Sequence, residues 1–122
     1  VFVHGGFHPK KRIEDAHRYE CLWDRDLLEL AFDADQRHPK PTLTQYSEVY
    51  LGHTTTMFYD SMVPLHLCEI WAMDTGGGWE GKLSLMNIET KEVFQSDLVM
   101  DLYPDTEHAR EGRNVYKRLM GP

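Results

Sequence analysis

The sequence predicts a mixed α/β chain, and three observations carry that reading. A short β-type apolar run, Val1-Phe2-Val3, opens the chain. A segment with apolar residues at mostly helical spacing follows it, and further runs of strand character come after that. At 122 residues the chain is at most one domain of ordinary size and can bury a real core.

The elements follow in order. Val1-Phe2-Val3 reads as a buried strand that runs straight into His4-Gly5-Gly6. Residues 7–19 are polar and rich in Lys, Arg and His, so they read as loop. Residues 21–32 carry Leu27, Leu28, Leu30, Ala31 and Phe32 and predict one helix. Asp24 or Asp26 suits its N-terminus, both as cap and against the macrodipole. Pro39 and Pro41 then enforce a second loop, over 33–47. Strands are predicted over 48–51, 65–73, 82–87 and 92–95, the last two joined by the short hairpin loop Ile88-Glu89-Thr90-Lys91. Asp74-Thr75-Gly76-Gly77-Gly78 is a glycine-rich turn and not a P-loop, since no Gly-Lys-Ser/Thr follows. Residues 106–119 predict a marginal helix with Gly112 in its middle.

Composition narrows the classes of function. With 13 basic and 20 acidic side chains the net charge is −7, which argues against nucleic acid as a partner. Cys21 and Cys68 are too few for a disulfide framework and lack metal-ligand spacing, so free thiols in a reducing cytoplasm are expected. No apolar run approaches the ~20 residues that span a membrane, and nothing resembles a signal peptide. The chain begins without Met inside a strand, where a frayed polar terminus is usual, which raises the expectation of a fragment.

One arrangement is written twice. Val1-Phe2-Val3 leads into His4-Gly5-Gly6, and Glu48-Val49-Tyr50-Leu51 leads into Gly52-His53-Thr54. Glycine beside a strand end lets the backbone turn sharply and approach a ligand closely. A sheet can then aim both imidazoles at a common point, as a metal site requires. Either histidine alone is as well read as a local strand cap. Arg25, in Trp23-Asp24-Arg25 at the expected helix start, is either a surface ion-pair partner or an anion clamp that Trp23 stiffens by packing. Asp15-Ala16-His17 is set aside because it lies in a charged loop with no preceding strand. His8, His38, His66 and His108 read as solvated or structural, and Trp71, Met73 and Trp79 as core. Neither cysteine sits in a nucleophile elbow, and no Gly-x-Ser-x-Gly occurs.

Taken in order, Val1-Phe2-Val3-His4-Gly5-Gly6, Leu22-Trp23-Asp24-Arg25, Tyr50-Leu51-Gly52-His53-Thr54, Met73-Asp74-Thr75-Gly76 and Gly81-Lys82-Leu83-Ser84-Leu85 resemble the second half of a calcineurin-like metallophosphoesterase. The bacterial serine/threonine protein phosphatases are the nearest group, and symmetrical dinucleoside tetraphosphatases are similar. The match covers residues 1–97 and leaves 98–122 as a C-terminal extension. The resemblance implies the C-terminal half of a four-layer α/β/β/α sandwich with a mixed sheet and two divalent metal ions (Mn, Fe or Zn) at the sheet ends. It implies that His4 and His53 ligate one metal and that Arg25 holds the substrate phosphate. Asp74 and the glycines after it would shape a loop beside the site rather than supply a ligand. Neutral imidazole suits Mn, Fe or Zn better than Mg.

The family's earlier motifs, Gly-Asp-x-His-Gly, Gly-Asp-x-x-Asp-Arg and Gly-Asn-His-Glu, do not occur in these residues. They would bring the remaining ligands, the bridging carboxylate and the catalytic acid, so no catalytic residue is assigned here. The expectation is a cytoplasmic metallophosphatase acting on a phosphomonoester or phosphoprotein, present here without half of its active site and inactive alone. Its expected partners are the phosphorylated substrate and either the missing N-terminal half or a second copy paired through exposed sheet. The alternatives are a non-catalytic, degenerate binding module and a dinucleoside polyphosphate hydrolase.

Overall fold

The computed structural model describes residues 1–104 of the chain, which form parts of two compact units, Val1–Thr75 and Gly76–Pro122. The architecture is mixed α/β, with one mixed sheet and a second, small antiparallel sheet.

The first unit holds strands β1 (Phe2–Val3), β2 (Val49–Leu51), β3 (Leu65–Leu67) and β4 (Ile70–Ala72) with helices α1 (Arg18–Trp23) and α2 (Asp26–Asp35). The sheet order is β1-β2-β4-β3. β1, β2 and β4 run parallel, and β3 closes the sheet antiparallel to β4. Val49, Leu51, Leu67, Ile70 and Ala72 are buried together with Leu27, Leu28 and Ala31 of α2 and with Phe7. The apolar positions of α2 recur at helical spacing, so one face of the helix joins this core while Glu29 and Leu30 stay exposed.

The single helix expected over 21–32 is two helices. α1 starts inside the expected loop, where His17 and Glu20 cap its first turn: His17 Nδ1 accepts from the Tyr19 N–H at 3.1 Å, and Glu20 accepts from the His17 N–H at 3.0 Å. Asp24 then leaves helical geometry, at φ −62° and ψ 140°, and its carboxylate accepts the Leu27 N–H at 3.2 Å to start α2. The cap role expected of Asp24 is present, but it begins the second helix.

The strand expected over 65–73 is a hairpin. β3 and β4 pair as Leu65↔Ala72, His66↔Trp71 and Leu67↔Ile70, with the turn at Cys68-Glu69. Cys68 sits at φ 54° and its N–H donates to Asp35 Oδ1 at 2.8 Å. A tertiary contact from the end of α2 thus holds a turn that carries neither Gly nor Asn. The first strand also departs from expectation, since β1 is an edge strand in the described residues and Phe2 is 67% exposed.

The two expected loops are fastened to each other and to the sheet. The Ile13 N–H donates to the Tyr46 hydroxyl at 2.8 Å, and Phe7 meets Tyr46 edge-on at 5.9 Å between ring centroids. Glu69 accepts from the Leu43 N–H at 2.9 Å. The second unit contains β5 (Ser84–Met86) and β6 (Val93–Gln95), an antiparallel hairpin on the expected loop, and the short helix α3 (Val99–Leu102). The helix expected over 106–119, with His108, lies outside the described residues. No helix among the described residues is long and apolar enough to cross a membrane.

Candidate metal and phosphate site

The site is built by strand register. β1 and β2 are parallel with Phe2↔Tyr50 and Val3↔Leu51, so His4 and Gly52 leave the sheet at the same end and the Gly52 N–H donates to the His4 carbonyl at 3.0 Å. β4 is parallel to β2 with Leu51↔Ala72, so Asp74 emerges at that end too. Its carbonyl accepts the Thr56 N–H at 2.7 Å, which ties the two strand-end loops together. In open parallel sheets ligands collect at these carboxyl ends. His4, His53 and Asp74 therefore follow three parallel strands into one place.

Glycines make the approach possible. A Cβ on Gly5 would lie 2.8 Å from Trp23 N and 2.9 Å from Asp24 N, inside any tolerable contact with backbone. The bare Gly5 instead donates its N–H to the Cys21 carbonyl at 2.7 Å, so the loop after β1 lies flat on the end of α1. This docking brings Trp23 and Arg25 alongside the histidines.

His53 occupies a strained position. It has φ 62°, and the Thr54 N–H donates across it to the Gly52 carbonyl at 2.6 Å. This is a γ-turn of the positive-φ kind, rare for a residue with a Cβ and costing about 1–3 kcal/mol where it occurs. Its effect is to turn the His53 ring toward His4, with centroids 5.1 Å apart at 56°. Trp23 meets the other side of His53 edge-on, at 5.4 Å.

The electrostatics bind the same residues together. Burial lowers the His53 pKa, the Arg25 and His4 charges lower it further, and Asp74 opposes them. His53 is thus held neutral, with a ring nitrogen lone pair available at neutral pH, in the field of a half-buried arginine. Beside it, Thr54 is buried and its hydroxyl has no hydrogen-bond partner among the described residues.

His4, His53 and Arg25, singled out from the sequence, are brought together, and Asp74 joins them. Trp23 packs on His53, a contact that the sequence did not suggest. Tyr19 and Thr54 were also missed; the Tyr19-x-x-x-Trp23 spacing was the available signal for the former. His66 stacks on Trp71 at 4.1 Å, structural as expected, and His17, set aside as part of a charged loop, is instead a helix cap. Trp71, Met73 and Trp79, expected in the core, are only half-buried. Among the described residues no group of three or more His, Cys, Asp or Glu is placed to hold a metal ion. The two imidazoles, with an unsatisfied buried hydroxyl next to one of them, are the paired nitrogen donors of this sheet end. Compared with profiles of known families, with curated proteins and with solved structures, the chain matches none.

Proposed function

We propose that this chain is the C-terminal part of a cytoplasmic, metal-dependent phosphatase of the calcineurin-like metallophosphoesterase kind, acting on phosphomonoesters. The observation that carries the reading is the parallel pairing of β1 with β2, which sets His4 and His53 side by side at one sheet end. In this reading the mixed sheet of the first unit belongs to a four-layer α/β/β/α sandwich. His4 and His53 each offer a ring nitrogen to one divalent ion. A bound pair of such ions (Mn, Fe or Zn) would supply Lewis-acid activation and a hydroxide nucleophile.

The chain's own residues do the rest. Arg25 presents a planar guanidinium that can take two phosphate oxygens at once and orient the ester. Its charge also helps to keep His53 unprotonated, as a ligand must be. Trp23 packs edge-on against His53 and helps to fix its ring. Two neutral donors, with no third ligand side chain placed beside them among the described residues, hold a divalent ion weakly, so the isolated chain is expected to be inactive. The same shortage of ligands favours a second reading, a non-catalytic module that keeps the fold and binds a partner.

Two measurements separate these readings. The coding sequence upstream of Val1 should contain Gly-Asp-x-x-Asp-Arg and Gly-Asn-His-Glu in frame, and the protein so encoded should hydrolyse p-nitrophenyl phosphate with Mn²⁺. A start codon immediately before Val1 would favour the module. Hydrolysis by the 122-residue chain alone, abolished by His53→Ala, would overturn the shared-site reading.

A further inference from the structure

α1 holds two large aromatic side chains in solvent. Tyr19 is 68% exposed and Trp23 is 55% exposed. They stand one helical turn apart, so they share a face, and their ring centroids are 6.5 Å apart. From Trp23 the contact continues edge-on to His53 at 5.4 Å and from there to His4 at 5.1 Å. Arg25 follows Trp23 by two residues and stands at the start of α2. An aromatic strip thus leads from solvent to the position where a phosphate would be held. Rings of this size normally bury most of their surface, and their π-faces favour another flat ring over an alkyl chain.

We propose that Tyr19 and Trp23 form a subsite for a flat aromatic substituent of the phosphorylated substrate, which makes the site selective for aromatic over alkyl phosphates. The proposal rests on the reading of Arg25 as the phosphate holder. A methyl or ethyl ester would leave both rings wet and gain little area. A phenol or a nucleobase attached to the same phosphate would cover them. The shared chemistry is a planar ring within reach of a phosphate, and the two sources are separable by experiment.

The test titrates the 122-residue chain with phenyl phosphate, adenosine monophosphate, ethyl phosphate and phenol, following the Trp23 indole N–H and the His53 ring by NMR. Either aromatic phosphate should bind about five- to tenfold more tightly than ethyl phosphate, the span expected of one aromatic contact. Tyr19→Ala, at an exposed position clear of His53, should bring that ratio toward one. Trp23→Ala should do the same, and Trp23→Phe should restore part of it. Phenyl phosphate binding ahead of the nucleotide names a phenolic substrate, and the reverse order names a nucleotide. Equal affinity for all three phosphates, or a ratio that neither alanine moves, overturns the subsite and leaves the phosphate reading standing. Binding of phenol but of no phosphate supports the subsite and overturns the role of Arg25. Binding of nothing overturns both.

Discussion

His53 concentrates the argument at the residue scale: a strained γ-turn aims it, Trp23 flanks it, and burial and Arg25 keep it neutral. Its folded pKa lies below the ordinary 6.5, so below that value the unfolded chain binds more protons at this site. The stability it contributes is complete above pH 6.5 and is lost as pH falls from there toward the folded pKa. An NMR titration of the ring should give a midpoint under 6.5, and Arg25→Gln should move that midpoint upward. An unmoved midpoint would place Arg25 out of reach of the site. Gly5 is the other decisive residue. Gly5→Ala drives a Cβ into the backbone at Trp23 and Asp24 and should cost about 1–3 kcal/mol in urea denaturation, the range of an overpacked core position. A Cβ on Gly52 would meet only ordinary contacts, at 3.5 and 3.7 Å, whereas Gly5 was legible because close backbone approach leaves a mark in composition. The γ-turn at His53 was not, since its hydrogen bond joins two residues that have no side-chain signature.

At the scale of elements, local chemistry was readable and long-range pairing was not. Asp24 announced a helix start, and the α2 periodicity announced its buried face. The break between α1 and α2 needed the docking of Gly5 on the end of α1, which no local window contains. The β3–β4 turn shows the same limit. Its apolar run reads equally well as one buried strand, and what folds it back is Asp35, at the far end of α2. That carboxylate accepts the Cys68 N–H and pairs with Lys40 at 2.8 Å. Lys40 first, and then the Cys68 N–H, hold the Asp35 pKa below its ordinary 3.8. The stability from this contact is therefore present above pH 3.8 and lost as pH falls through the folded value. Asp35→Ala should cost about 1–3 kcal/mol near neutral pH, the worth of a charge-assisted hydrogen bond, and the deficit should shrink in acid. A pH-independent deficit would mean that the side chain acts by packing alone. The sheet also carries a ring stack that only register could reveal. Phe2, Tyr50, Trp71 and His66 face one another across the four strands at 4.7, 6.5 and 4.1 Å.

On the scale of the molecule, that ring stack ends in the open. Phe2 is the outermost ring on β1, an edge strand among the described residues, and is largely exposed. Without a covering segment the chain should self-associate, with a dimer or larger species by light scattering and a shift toward monomer for Phe2→Lys. A monodisperse monomer of the unmodified chain would contradict this. Two histidines at strand ends were visible, but only parallel pairing of β1 with β2 could place them at the same end of one sheet. In the proposed function these two residues form one half of a metal site. Its most direct test is a Mn²⁺ titration of the 122-residue chain followed by NMR. Weak binding should broaden the His4 and His53 rings together, before any other histidine, and His53→Ala should abolish it at His4. Broadening of the two rings at different metal concentrations, or at other histidines first, would contradict it.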